Sequence, residues 1–182
     1  MAAPQQVSDP YEHVGPWSDE DFLALPDDRR VELVDGALVM SPRASNPHQR
    51  LAYRLWGALD GAATPGWDVL GEPNVRLGAD RVVIPDVAVL AGADMTAAVN
   101  QAVALTLVVE VVSLGDAAHD RILKPRLYAE AGIPWYLRVE QEGPVGHLHQ
   151  LVDGAYREVA HGPVVELAEP FGVALDLPRL AR

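Results

Sequence analysis

One eight-residue run, Leu105–Val112, restricts the possible folds of this chain more than any other segment. The run is rich in β-branched residues and apolar on both faces, which is typical of a central strand buried between two layers. Glu110 lies inside it, and burying a lone carboxylate costs several kcal/mol. Glu110 therefore needs a partner, a metal ion or a raised pKa, unless it lies at the strand end and reaches water or an arginine.

The remaining pattern predicts an α+β fold with a mixed central sheet, flanking helices and two β-hairpins. Asp35-Gly36 and Asp153-Gly154 each join two apolar-rich runs, and this dipeptide suits a type I′ turn because both central residues need a positive φ. The other predicted elements are a helix from Ser18 to Leu25, a helix with Asn46 as N-cap, strands at 67–70, 74–77 and 81–90, a loop or weak helix at 91–103, a helix ending near Gly132 and a strand at 133–139.

The composition is typical of one globular domain, with 182 residues of which 49% are apolar and 22% charged. Residues 1–16 carry proline and glycine without a period and predict a flexible N-terminal arm, so that 17–182 form a single domain. The lack of cysteine excludes disulfides, thiolate zinc sites and cysteine nucleophiles. Neither a signal peptide nor a run of about 20 apolar residues is visible, and we expect a cytoplasmic protein with no membrane partner.

The charge balance excludes bulk electrostatic attraction to nucleic acid. Acidic residues outnumber basic ones by 26 to 14, for a net charge of −12. Residues 41–132 are nearly balanced, with 10 acids and 8 bases, whereas residues 1–40 hold 9 acids and 2 bases. Contact with DNA would therefore need a local patch or metal ions. Lys124 is the single lysine beside 13 arginines.

Asp86 is a second acid within an apolar stretch, directly after Pro85. Because proline cannot donate to a strand ladder, this point is an edge, a bulge or a strand start that can turn Asp86 into a cleft; a plain Pro-Asp turn is the alternative. Lys124 follows Asp120 by four residues, which is also the spacing of an ordinary surface helix pair. If the fold brings the two acids and Lys124 together, they suit Mg²⁺-assisted hydrolysis of a phosphodiester.

The order of these residues carries a resemblance to a known family. Pro85-Asp86, then Val109-Glu110-Val111, then Lys124 resembles the PD-(D/E)xK nuclease superfamily, and more closely the Uma-type family of bacterial restriction endonucleases. The matching stretches are Glu32–Gly36, Ser41–His48, Ile84–Val87, Val109–Ser113, Asp120 with Lys124 and Tyr128, and Ala129–Tyr136.

The resemblance implies a restriction-endonuclease-like fold and a metal site. Mg²⁺, or alternatively Mn²⁺, would be held by Asp86, Glu110 and the backbone carbonyl of Val111. The superfamily's lysine usually lies two residues after the second acid, a position that Val112 fills here. The Uma-type pattern has its lysine in the following helix, so that Lys124 would orient the attacking water or stabilise the transition state.

Three further residues receive supporting roles from the same resemblance. Glu32 would be an additional acid near the metal, although it could instead face solvent or pair with a neighbouring arginine. His48 would contact the site or a phosphate, with a plain surface position in the first helical turn as the alternative. Asp120 is expected to orient Lys124 or to cap the helix rather than to bind metal.

These expectations combine into a Mg²⁺-dependent endonuclease that hydrolyses DNA phosphodiester bonds and acts as a homodimer. A catalytically silent nuclease-fold protein, used for binding or assembly, is the first alternative. It is favoured by the net charge of −12 and by the missing lysine at position 112. A metal-dependent hydrolase of another phosphorylated substrate is the second alternative, and activity on small phosphodiesters but not on DNA would distinguish it.

Overall fold

The computed structural model describes residues 11–26, 29–40, 44–112 and 119–182, without the side chains of residues 119 and 120. Residues 1–10 of the predicted arm, and residues 41–43 and Ser113 of the stretches that carry the resemblance, lie outside this description. The described α-helices are α1 (Asp19–Leu23), α2 (Asn46–Ala62), α3 (Lys124–Glu130) and α4 (Leu177–Leu180), and a π-helical turn, His119–Leu123, leads into α3. The described strands are β1 (Val31–Val34), β2 (Ala37–Met40), β3 (Trp67–Gly71), β4 (Val75–Gly78), β5 (Arg81–Val83), β6 (Val87–Ala91), β7 (Asn100–Gln101), β8 (Leu105–Val112), β9 (Trp135–Glu140), β10 (Val145–Val152), β11 (Ala155–Gly162), β12 (Val164–Leu167) and β13 (Val173–Asp176).

A six-stranded mixed sheet forms the centre of the fold, in the order β11-β10-β9-β8-β6-β3. Strand β8 pairs parallel with β9 and antiparallel with β6. Every residue of β8 except Thr106 is buried. The prediction of a central buried strand in an α+β fold is confirmed.

A second sheet has the order β2-β1-β5-β4-β7, and β12 pairs with β13 in a third. Both predicted hairpins are present, as β1–β2 and β10–β11. Asp35 and Gly36 have φ values of 51° and 76°, and Asp153 and Gly154 have 53° and 79°. These left-handed conformations are those that a type I′ turn requires.

The stretch predicted as one strand, 81–90, is two strands in two different sheets. β5 pairs with β1 and β4 in the second sheet, whereas β6 pairs with β3 and β8 in the central sheet. Pro85 has no N–H for a ladder, and the N–H of Ile84 is bound by the side chain of Glu32 at 2.7 Å. The backbone therefore leaves one sheet at Ile84 and enters the other at Val87.

The remaining differences concern element ends. Helix α2 is capped by Ser45, whose hydroxyl accepts the N–H of His48, and not by Asn46. Helix α1 begins as predicted, with a capping box formed by Ser18 and Asp21, but ends two residues before the predicted Leu25. The predicted loop or weak helix at 91–103 contains β7 and the start of a short 3₁₀ turn, Ala102–Ala104. Ends are the least certain part of a sequence-based prediction because they depend on caps.

Both faces of the central sheet are covered. Leu51, Leu55 and Leu59 of α2 share one cluster with residues of β6, β8 and β9, including Val109. The opposite face packs against Leu127 of α3 and against residues of the second sheet. No helix in the part of the chain covered here is long and apolar enough to cross a membrane.

Candidate functional site

Glu110 faces helix α3 because side chains alternate along strand β8. Val108, two residues earlier on the same face, shares a cluster with Leu127 and Tyr128 of α3. Lys124 and Tyr128 lie one helical turn apart, so both reach the same carboxylate. Lys124 Nζ donates to Glu110 Oε1 at 3.1 Å, and the Tyr128 hydroxyl donates to it at 2.5 Å.

Lys124 also connects the two large sheets. Its Nζ lies 3.2 Å from Oε1 of Glu32 on β1 and donates to the carbonyl of Ile84 at 3.4 Å. The same carbonyl accepts a 2.8 Å hydrogen bond from Arg30. Lys124, Glu32 and Glu110 are only 2–3% exposed, and such buried charges are tolerable only when they are paired in this way.

Asp86 lies on the segment that joins β5 to β6, and three groups contact its carboxylate. Its Oδ2 accepts the backbone N–H of Val111 at 2.8 Å, and Arg30 Nη2 donates to Oδ1 at 3.4 Å. His48 Nε2 is 3.1 Å from Oδ2 but makes no aligned hydrogen bond, so the contact is that of an ion pair. Arg30 is held in turn by a salt bridge to Glu72. Asp86 thus lies between β8, α2 and the arginine that precedes β1.

The neighbours of Asp86 decide its charge and that of His48. Burial raises the pKa of Asp86, but His48, Lys124 and Arg30 outweigh burial and hold that pKa below its usual value. Burial lowers the pKa of His48 and Arg30 opposes its charge too, yet Asp86 and Glu110 raise the pKa above 6.5. The site therefore favours an ionised aspartate beside a protonated histidine.

The structure brings five of the predicted site residues into one cluster. Those residues are Glu32, His48, Asp86, Glu110 and Lys124. Val111, predicted to offer its carbonyl, touches the site through its N–H. The side chain of Asp120 lies outside the described residues.

Three residues contribute to the site without a role assigned from the sequence. Arg30 is an arginine close to Glu32 in the chain, and Glu72 belongs to no motif there. Arg30 contacts Glu72 and Asp86 across 42 and 56 residues, so no local pattern reveals these contacts. Tyr128 was part of the resemblance without a role, and its spacing of four residues from Lys124 is the signal that could have assigned one.

Two carboxylates suit Mg²⁺ better than metals that need more protein ligands. Among the side chains described here, no group of three or more His, Asp and Glu could hold a metal ion by itself. Mg²⁺ is usually bound by one or two carboxylates together with waters and substrate phosphates. Asp86 is hydrogen-bonded to the N–H next to Glu110 in the chain, which keeps the two acids near each other. This donor set fits Mg²⁺, and Mn²⁺ takes similar oxygen ligands.

Comparison with known proteins identifies the family and the fold of the chain. The Uma2 family, described as "Putative restriction endonuclease", matches residues 19–178. A solved structure from Anabaena variabilis ATCC 29413, described as "a putative nuclease belonging to DUF820", has a TM-score of 0.75 at 14% sequence identity. The match covers 92% of this chain and all of that one, and shows a shared fold. Among curated proteins, none matches the chain.

The family match covers the whole cluster, from Glu32 on β1 to Lys124 and Tyr128 on α3. It also covers most of the chain, and the fold is that of the structural neighbour. The resemblance seen in the sequence is therefore confirmed: the chain belongs to the Uma2 family of restriction endonuclease-like proteins.

Proposed function

We propose that the protein is a Mg²⁺-dependent endonuclease that hydrolyses phosphodiester bonds of DNA. One observation carries the proposal: Asp86, Glu110 and Lys124 come from three separate elements and meet in one buried cluster. Membership of the Uma2 family supports the same chemistry. We also propose that the protein acts as a homodimer, because a dimer would have two copies of the site for the two strands of a duplex.

Asp86 and Glu110 would hold the metal, with the carbonyl of Val111 as a further ligand. When bound, Mg²⁺ would supply Lewis acidity toward the phosphoryl group and the attacking water. The Nζ of Lys124 lies 3.1 Å from Oε1 of Glu110, where it would orient the water or stabilise the negative charge that develops on the phosphate. Tyr128 and Glu32 hold that lysine and its carboxylate in place.

His48 and Arg30 give the site its remaining positive charge. His48 belongs to the first turn of α2 and also lines a cleft, so its protonated ring would meet a phosphate entering there. Arg30 binds Asp86, Glu72 and the carbonyl of Ile84, so its guanidinium is occupied by protein groups and would not contact the substrate. Arg30 therefore positions Asp86, whereas His48 would contact the substrate.

Cleavage of plasmid DNA tests the proposal. Wild-type protein with Mg²⁺ or Mn²⁺ should nick or linearise the plasmid, and Glu110→Ala or Asp86→Asn should lower the rate at least about 100-fold, or about 2.7 kcal/mol in the barrier. Glu166→Gln, an exposed acid on β12, is the matched control and should cleave normally. Circular dichroism of each variant checks folding. Equal rates for wild type and Glu110→Ala would contradict the proposal and indicate a contaminant.

A catalytically silent binding protein is the second candidate, and a different observation favours it. Lys124, Arg30 and, when it is protonated, His48 face the acids Glu32, Asp86 and Glu110, so much of the negative charge is compensated without metal. Calorimetric titration with Mg²⁺ separates the candidates. Heat that disappears in Asp86→Asn supports the nuclease, whereas the absence of heat in folded wild type, together with the absence of cleavage, supports the silent protein.

A further inference from the structure

A cleft of about 700 Å³ opens directly from the cluster. His48 and Asp86 line one part of it, and the lining continues along α2 to Asp60 and along β3 from Trp67. From His48 to Asp60 the helix rises about 18 Å, which is long enough for one or two nucleotides. The volume of the cleft lies in the range of about 300–1,000 Å³ that is typical of small-ligand sites.

Aromatic side chains line the cleft beyond the cluster. Tyr53, Trp56 and Trp67 all contribute to its wall. Trp56 is fixed because its Nε1–H donates to the carbonyl of Val69 at 2.9 Å, and Tyr53 packs edge-on against it with ring centroids 6.0 Å apart. Tyr53 is nevertheless 76% exposed, so its ring is open to a ligand. Fixed aromatic rings beside a phosphate site are the usual platform for stacking an unpaired base.

The charges of the cleft do not suit a DNA backbone. Neither lysine nor arginine occurs among the described residues that line it, while Asp60, Asp68 and Glu72 do. These carboxylates repel phosphates but can accept hydrogen bonds from the amino groups of bases. A duplex keeps the faces of its bases stacked inside, so no base face is available to the rings, and both of its strands bring phosphates toward the acids.

We propose that this cleft binds an unpaired nucleobase next to the scissile phosphate, so that the substrate is a single strand or a locally opened duplex. The inference rests on the proposed nuclease function and names its substrate class. The phosphate lies against His48, and the adjoining base stacks on Tyr53, whose ring packs edge-on against Trp56. A fully paired duplex must open before it can enter.

Fluorescence anisotropy in EDTA tests binding without cleavage. The probes are a fluorescein-labelled 12-nucleotide single strand and a hairpin whose fully paired stem carries the same sequence and is closed by a non-nucleotide linker, so that it has no unpaired base. The variants are Tyr53→Ala and, as control, Val159→Ala, which truncates an exposed side chain on β11 at the opposite edge of the central sheet. Both residues are exposed, so each variant should fold.

We expect the single strand to bind at least about tenfold more tightly than the hairpin. Tyr53→Ala should weaken single-strand binding by about tenfold and leave the hairpin unchanged within about twofold. Val159→Ala should alter neither. Equal affinities for the two probes, equal effects of the two variants, or no binding of either probe would overturn the inference.

The two proposals fail in different ways. Glu110-dependent plasmid cleavage combined with Tyr53-independent binding would refute the unpaired-base site and leave the nuclease intact. Tyr53-dependent binding of the single strand, without metal-dependent cleavage, would refute the nuclease and leave the base site as that of a nucleic-acid binding protein.

Discussion

His48 and Asp86 stabilise each other's charged form, because each is largely removed from water and lies 3.1 Å from the other. Such a pair is more than a surface salt bridge, since breaking it leaves a buried charge uncompensated. Arg30 adds a second cation on the other oxygen of the same carboxylate. The charge state of the site is therefore set by neighbours from α2 and from the segment before β1.

The titration of His48 in the metal-free protein follows from this geometry. We expect its pKa to lie above 6.5 and to fall in Asp86→Asn, because Asp86 makes the largest contribution that raises it. NMR of the imidazole resonances over pH 5–9 measures both values. Folding stability gained from the charged ring is fully present below about pH 6.5 and is lost as pH rises through the folded pKa. A wild-type pKa at or below 6.5 would contradict the ion pair.

One turn of helix α3 supplies both side chains that hold the Glu110 carboxylate. Lys124 and Tyr128 donate to the same oxygen of Glu110, and Leu127 between them packs in the core. Burial and the nearby charge of Glu110 raise the pKa of Tyr128 well above 10, so its hydroxyl remains a donor throughout the physiological range. The helix thus holds the β8 carboxylate from one side at all relevant pH values.

Removing the Tyr128 hydroxyl should lower the stability of the folded protein. Tyr128→Phe leaves a buried carboxylate short of a donor, and we expect the free energy of unfolding to fall by about 2–3 kcal/mol. Tyr156→Phe is the matched control, because that hydroxyl donates to the carbonyl of Ile133 and is only partly buried. Its loss should cost about 1 kcal/mol. Urea denaturation measures both, and a Tyr128→Phe effect no larger than the control would count against a tightly held carboxylate.

Elements defined by local sequence could be predicted, whereas contacts between distant elements could not. Strand β8 and the hairpin turns follow from β-branched runs and Asp-Gly pairs, and their prediction is confirmed. The break of 81–90 into two strands depends on Glu32, a residue 52 positions away that captures the N–H of Ile84. The place of Arg30 in the site could not be predicted either, because its partners Asp86 and Glu72 are distant in the chain.

The molecule as a whole is acidic, and few of the described residues at the site carry a positive charge. The net charge of −12 opposes the approach of DNA from a distance. Lys124 is buried, Arg30 is already held by acids, and His48 is the cation of the site that also lines the cleft. Binding should therefore depend on local stacking and hydrogen bonds more than on the number of phosphates contacted.

We expect the affinity for the single strand to depend only weakly on salt concentration. Each phosphate neutralised on a single strand contributes a slope of about −0.7 in a plot of log affinity against log salt. With one or two phosphates contacted, the slope for the 12-nucleotide single strand should lie between about −0.7 and −1.4. Anisotropy titrations from 50 to 400 mM NaCl measure it. A slope steeper than about −4 would reveal an extended basic track and contradict this account.

The bridge that Lys124 makes between Glu32 and Glu110 has a consequence for how the chain selects its structure. Glu32 belongs to the second sheet and Glu110 to the central sheet, so Lys124 keeps both partners only when both strands have their native alignment. A slip of one residue in β1 or β8 would turn a carboxylate to the opposite face and leave the ammonium buried with half its counter-charge. The charges of Lys124, Glu32 and Glu110 therefore disfavour non-native strand registers when the two sheets assemble.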